Sequence, residues 1–583
     1  MIINLSSLLC IKRLFLLFTI LICGCSKHYE ICDDAPSFSV TATKLFFNKT
    51  KERDLSKAIY HLSTGTWITP QKDPYDLDCI IEACKILGIS PGDIPITVTH
   101  YAVKIFPKNE KEQWSIELAE GVNVDYTPFN YEPVTYEQNK ELGPEPKNKE
   151  KIQDDCRYTV TYESVLEGGS SVVENYRIPV LYSIWPIEKP LPEGIEYEID
   201  HNVFIPDYDK GGYDESDKVL LKSIEREAIY LALGFYPTDL SDSNRSNDVI
   251  TLMGYVYHYD SLCDSLIGQH NLKIRFQLGS NIWNTYVQPN GAFSITDAIS
   301  TAASYRHVFQ HPKWKLTNDN STSPLQINWG DVSDWWSSIN DTPIMSPSSS
   351  DVRYSVLPAV NYYYYGTHSI RTWYYDEGIR IIIPGVVGSN ASEFYFTDSP
   401  TYIKVYENNH NSIGLLFGDV THELGHFTMY CECGGYNDYM TNYYAIDKLL
   451  RESYACYVGW YLTKTRYATL GYTESPPNDF TGEAMQHWSR TKYDVSTYGI
   501  YIYYSPMFVD LVDTYNQSTP GYYYNYDDYS ITTNVHLRIR EMAAQCKTWE
   551  DIKDYLEDYV GISLTQSQFN NFCFPYNYWY EHI

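Results

Sequence analysis

The run His422-Glu423-Leu424-Gly425-His426, inside "GDVTHELGHFTMYCECGG" (418–435), holds residue types that bind a transition metal and move a proton. Residues four apart on a helix share a face, so the two imidazoles can aim at one point. Neutral imidazoles suit zinc, a borderline-soft ion. Glu423 stands beside the first histidine and off the line of ligation, where a carboxylate can act as general base on water. Leu424 and Phe427 offer apolar packing around the group. A catalytic zinc takes a third protein ligand and keeps one position open. Glu432 follows His426 by six residues, but a helix continuing through Met429 rotates it off the site. Asp438 comes after the Gly434-Gly435 break, with no further helix to hold it. Glu452 lies in a second helical run, "RESYACYVGWYL", whose Tyr454, Ala455 and Val458 give it an apolar face to pack on the first helix. Glu452 is the expected third ligand.

HExxH on one helix, with a glutamate in an E-x-x-A context on the next, resembles the gluzincin metallopeptidases. The resemblance covers roughly residues 370–515. It implies His422, His426 and Glu452 as zinc ligands and Glu423 as base and proton shuttle. Some members carry an aspartate four residues after the third ligand, orienting a zinc histidine; here that position is Cys456. Peptide hydrolysis also calls for a donor to the oxyanion. Tyr498, Tyr501, Tyr503, Tyr504, His487 and His536 are candidates, with Tyr501 and Tyr503 taken as the catalytic pair to test. His536 reads as a surface or already satisfied histidine.

The elements around this motif predict a multidomain α+β chain: β-rich N-terminal modules, a small β-sandwich, and a C-terminal zincin-like catalytic domain ending in helices. "DLDCIIEACKILGI" (76–89) has helical spacing with a glycine near its end. "IPITVTHYAVKIFPKN" (94–109) and "QWSIELAEGVNVDY" (113–126) both read as alternating strands. A charged, proline-bearing interval at 138–151 separates an N-terminal β-rich domain (25–150) from a proline-rich β module (151–240) closed by the helix "SIEREAIYLALG". Residues 250–298 run from a glycine-started strand through "NLKIRFQL" to "NGAFSI", with Asn290-Gly291 as a turn. That order resembles the carboxypeptidase regulatory-like, or transthyretin-like, sandwich, an accessory module. The catalytic domain is assigned 300–583, with helices over 413–433 and 445–463 and further helical runs at "MFVDLVDTY" and "VHLRIREMAAQC".

The chain has 583 residues, too many for one core. Its net charge of −30 leaves no basic stripe to neutralise phosphates, which excludes nucleic acid as a partner class. Tyrosine is abundant, at 57 residues, and favours half-buried and β-structured positions. Residues 1–24 read as an export signal: Lys12 and Arg13 precede the apolar run "LFLLFTILI". The ending Ile22-Cys23-Gly24-Cys25 resembles a bacterial lipobox, which implies cleavage before Cys25, lipidation of its thiol, and anchoring in the cell envelope as an outer-membrane lipoprotein, periplasmic or surface-exposed. An exported location permits disulfides, though spacing does not give their pairing, and Cys431-x-Cys433 is not a zinc-finger spacing. The expected activity is therefore zinc-dependent endopeptidase action on peptide, protein or glycoprotein. Anchored enzymes of this layout resemble the mucin- or host-protein-degrading, enhancin-like gluzincins. The alternative is a non-catalytic surface lipoprotein that binds glycan or protein on the same scaffold. A purely structural zinc would call for a fourth closing ligand, and the sequence offers none.

Overall fold

The computed structural model describes residues 73–126 (except 91–93), 156–296 (except 167–170, 209–211, 234–250 and 261) and 303–331 (except 319–320). It also describes 344–345, 352–370 (except 367 and 369), 378–384, 393–396, 401–406, 413–433, 446–472 (except 447), 507–512 and 534–573. The signal segment, Cys25, Asp438, His487, Tyr498, Tyr501, Tyr503 and Tyr504 lie outside the described residues.

Helix α1 (Leu77–Leu87) begins at Asp76, whose side chain accepts the Asp78 N–H, and ends at Gly88 with φ 71°. That left-handed terminus is one that glycine adopts without a Cβ penalty. Strand β1 (His100–Phe106) follows, as its alternation predicts. The next segment departs from expectation. Asn109 accepts the Glu112 N–H and starts helix α2 (Glu110–Glu117), leaving only β2 (Asn123–Asp125) as strand. The strand expected over 113–118 is a helix instead, because a local N-cap with two acidic first-turn residues outweighs the alternation.

Strands β3 (Tyr158–Leu166) and β4 (Ser171–Ile178) form a hairpin, followed by β5 (Leu181–Pro186), β6 (Glu196–Val203) and helix α3 (Glu215–Leu233). One sheet has the order β2-β5-β1-β6, so the segments on either side of 127–155 share a single sheet. The expected border at 150 is therefore crossed by backbone hydrogen bonds.

Strands β7 (Thr251–Asp260), β8 (Ser265–Gly268), β9 (Lys273–Leu278), β10 (Asn281–Tyr286) and β11 (Ala292–Thr296) fill the interval read as a sandwich. Gly291, at φ 81°, makes the predicted Asn290-Gly291 turn, with Gly291 N–H donating to the Gln288 carbonyl. The sandwich does not stop at 298. Strand β12 (Ser304–Val308) pairs with β9, and β15 (Gln326–Asp331) pairs with β12, giving a sheet β10-β9-β12-β15. The facing sheet, β11-β7-β16, takes in Ile344–Met345 as β16. Phe276, Phe293 and Tyr305 interlock in the core between them, with ring centroids 5.2–6.4 Å apart.

The site rests on a fourth sheet, of seven strands. Between β12 and β15 run β13 (Gln310–His311) and β14 (Trp314–Thr317). Helix α4 (Val352–Tyr365) then precedes β17 (Ile379–Ile382), β18 (Glu393–Phe396) and β19 (Tyr402–Lys404). The order is β13-β14-β17-β19-β18-β3-β4, with β14, β17 and β19 parallel and β18 antiparallel to β19. Here too an expected border gives way: hairpin β3–β4, from the proline-rich module, completes the sheet by pairing Leu166 and Val165 with Tyr395 and Phe396. The central strands are fully buried, as parallel strands covered on both faces should be.

Helix α2 seals one face of that sheet with ions. Glu110 meets Arg380 at 2.9 Å, Glu117 meets Lys315 at 3.6 Å, and all four side chains have no exposed surface. Trp114 lies over the Lys315 ammonium, and the Arg380 guanidinium over Tyr176. The long helices follow: α5 (Ile413–Glu432) and α6 (Lys448–Thr469), near the predicted positions. Then come α7 (Met507–Asp510), α8 (Val535–Gln545) and α9 (Trp549–Tyr555). Helices α4, α5, α6 and α8 share one large apolar core with the sandwich. The mixed α+β architecture expected from the sequence is observed. Among the described residues no helix is long and apolar enough to cross a membrane.

Candidate metal centre

Helix α5 carries the HELGH run in its middle, where the backbone is most constrained. Its neighbours fix it from both sides. On one side the Tyr363 hydroxyl of α4 meets Thr428 Oγ1 at 2.6 Å. On the other, α6 packs antiparallel: Gly414 approaches Tyr467, Gly425 approaches Ala455 and Val458, and His426 approaches Glu452. Gly425 is what lets the helices come so close. A Cβ built there would stand 2.9 Å from the Ala455 Cα and 3.1 Å from the Val458 Cβ. A glycine inside a helix costs up to about 1 kcal/mol relative to alanine, so its presence has to be offset by packing.

This crossing brings three donors together. The Nε2 atoms of His422 and His426 are 3.2 Å apart, and Glu452 Oε2 lies 3.5 Å from each. The donor atoms of these three residues all fall within 4.8 Å of one another. Zinc–nitrogen and zinc–oxygen bonds of about 2.0–2.2 Å at tetrahedral angles put neighbouring donors roughly 3.3–3.5 Å apart. The observed separations fit that ion. His426 is buried, with 2% of its side chain exposed, while His422 and Glu452 each keep 16%. The group is thus open on one side, toward His422 and Glu452.

The electrostatics follow from the crowding. Burial alone would raise the Glu452 carboxyl, but the His426 and His422 imidazoles outweigh it and hold the group well below the usual carboxylate range. Burial would lower His422, and its contacts with Cys456, Glu452 and Glu423 reverse this, placing the imidazole well above its ordinary value. The Cys456 thiol is raised by burial, against the pull of His422.

Glu423 occupies the residue next to His422 and is 6% exposed, close enough to influence both His422 and Cys456. The alternative third ligand, Glu432, points away. Its carboxylate pairs with Arg540 of α8 at 3.2 Å, as expected for a residue about 240° around the helix from His426. His536 is also accounted for. Its Nδ1 is bonded to the Tyr457 hydroxyl, and its ring lies 3.9 Å from that of Tyr461. Those tyrosines stand about 140° and 180° around α6 from Glu452, so His536 is behind the helix and not at the donors. One feature of the site was not drawn from the sequence: the tight Gly425 crossing, for which the glycine inside an otherwise helical pattern was the available signal. Among the described cysteines, Cys84, Cys156, Cys263, Cys456 and Cys546 are free thiols.

Comparison with protein-family models, with curated proteins and with solved structures found no match to this chain.

Proposed function

We propose that this chain is a zinc-dependent endopeptidase of the gluzincin kind, with its catalytic site built on helices α5 and α6. One observation carries the reading: a glutamate 26 positions beyond the second histidine of HELGH, on a different helix, completes a three-donor set with zinc-sized separations. His422, His426 and Glu452 would hold the ion. When bound, zinc supplies Lewis acidity, polarising a carbonyl and making water a stronger acid. The chain's own residues do the rest. Glu423 takes a proton from the attacking water through its carboxylate as the oxygen–carbon bond forms, then returns it to the leaving nitrogen as the carbon–nitrogen bond breaks. The open side beside His422 and Glu452 admits the peptide, while the buried His426 anchors the group.

The substrate class that suits this chemistry is peptide, protein or glycoprotein, and the lipobox-like Cys25 motif supports an envelope-anchored enzyme. The test is zinc content by elemental analysis of the soluble chain from residue 26 onward, for wild type, Glu452→Ala and Glu423→Gln, beside a protein-substrate screen. One zinc per wild-type chain, loss of it in Glu452→Ala, and a zinc-loaded but inactive Glu423→Gln are expected. Zinc retained in Glu452→Ala would overturn the ligand set. Zinc bound without turnover across protein and glycoprotein substrates would favour the binding lipoprotein instead.

A further inference from the structure

Strand β6 closes one side of the sheet β2-β5-β1-β6, and among the described residues no strand pairs with its outer edge. That edge is met only at its end, where Val203 bridges Asp76 and the Phe204 N–H donates to the Tyr75 carbonyl. Residues 196–200 are exposed in succession, so both faces of the strand meet solvent. On one face Tyr197 and Ile199 stand opposite Ile105 and Val103. Those two are buried in one cluster with Ile116 of α2, whereas Tyr197 keeps 40% and Ile199 48% exposure. The apolar row thus runs on past the cover that α2 gives it. On the other face Glu196, Glu198 and Asp200 have side chains 46%, 56% and 44% exposed. Arg157 is shared by both glutamates, Lys104 meets Asp200 at 3.2 Å, and His201 lies between Asp200 and Asp73. Three basic groups therefore serve four carboxylates. At the head of the strand a cleft of about 890 Å³ opens beside Lys108, Leu191, Glu193 and Tyr197.

A free edge presents unpaired N–H and C=O groups to any other strand, and charge is one way a protein restricts what pairs there. The charges on β6 are of one sign and alternate with apolar residues. Two copies of β6 paired antiparallel about Glu198 would set that residue against itself and Glu196 against Asp200, and like charges directly opposite destabilise a ladder. A strand with lysine or arginine at the same spacing would meet a carboxylate each time. We propose that β6 and the cleft at its head form a docking edge for an extended peptide segment that alternates basic and apolar residues. The segment's backbone extends the ladder, its cations face Glu196, Glu198 and Asp200, and its apolar side chains cover Tyr197 and Ile199. None of these residues belongs to α5 or α6, so the docking edge stands apart from the zinc reading.

The experiment titrates the soluble chain from residue 26 onward with an acetylated peptide as long as β6 that alternates lysine and valine, with a chelator present so that no hydrolysis intervenes. Three control peptides accompany it: one alternating glutamate and valine, one N-methylated at every lysine, and one N-methylated at every valine. Successive amides of a strand point to opposite edges, so the two methylated peptides keep the charge and each blocks a different edge. The parent peptide should bind and the glutamate peptide should not. One methylated peptide should lose at least about tenfold in affinity while the other binds like the parent. Glu198→Lys and Ile199→Lys should each weaken the parent peptide by about tenfold, with thermal unfolding followed in parallel; the wild-type peptide comparison decides the matter should either variant fold poorly. No binding of the parent peptide, equal binding of the glutamate peptide, or an affinity unchanged in both variants would overturn the proposal. Both methylated peptides binding like the parent would also overturn it, leaving only attraction to the chain's net charge of −30.

Discussion

Gly425→Ala is the substitution with most leverage on the site, because it touches no donor. The added Cβ would meet the Ala455 Cα at 2.9 Å, the Val458 Cβ at 3.1 Å and the Ala455 Cβ at 3.4 Å. Carbon atoms pack at about 3.5–4.0 Å, so the contact to Ala455 must open by about 0.6 Å. The obstacle is backbone in the middle of a buried helix, which cannot rotate aside as a side chain could. Alanine's better helix propensity offsets about 1 kcal/mol, and overpacking costs about 1–3 kcal/mol, so net stability should fall by roughly 0–2 kcal/mol. The site should suffer more. Moving α6 from α5 by about 0.6 Å shifts Glu452 relative to both histidines, and metal sites tolerate only about 0.2 Å in their bonds. We expect zinc affinity to fall at least about tenfold, read by chelator competition, with unfolding of the metal-free protein followed separately. A Gly425→Ala protein that binds zinc like wild type and unfolds at a higher temperature would refute the claim that this crossing sets the triad.

Three other outcomes are expected. Glu110→Ala would strand the Arg380 guanidinium in a fully buried position, since the two meet at 2.9 Å with no exposed surface; a loss of about 3–5 kcal/mol in denaturant unfolding is expected, and a loss below about 1 kcal/mol would contradict it. His201 is pulled down by burial, but its hydrogen bond to Asp73 and the charge of that group, with Asp200, raise it to about 9. A histidine raised on folding gives stability that is full below its unfolded value of about 6.5 and is lost as pH climbs through about 9; roughly 1–2 kcal/mol, after screening, should disappear over that window and be absent from His201→Gln. His536→Ala should lower stability through its lost contacts with Tyr457 and Tyr461 while leaving zinc affinity unchanged, because those tyrosines face away from Glu452; weakened zinc binding would show that His536 belongs to the site after all.

What the sequence made legible was governed by local periodicity, and what it concealed was governed by pairing over distance. The HELGH helix and the Glu452 helix each follow from 3.6-residue spacing and apolar neighbours, and the antiparallel crossing follows from the apolar face that Tyr454, Ala455 and Val458 give the second helix. Glu432 could be set aside by rotation alone, and its pairing with Arg540 agrees. Alternation misled at 113–118, where Asn109 and Glu112 cap a helix whose glutamates are spent on burying Arg380 and Lys315, partners some 200–270 positions away. No window of the sequence displays that pairing. The domain borders failed for the same reason: charged and proline-rich intervals mark where the chain leaves a sheet, not where the sheet ends. Hairpin β3–β4 returns to β18 across more than 200 residues, and the strands on either side of 127–155 share one sheet. It follows that the residues after 300 are unlike a detachable catalytic domain. They lack the hairpin that extends their sheet and the helix that neutralises its buried cations, and with α2 removed, Arg380 and Lys315 would stand uncompensated in an apolar interior. A chain cut to 300–583 should therefore be insoluble or molten, whereas one that keeps α2 and hairpin β3–β4 should fold and, on the reading proposed above, bind zinc.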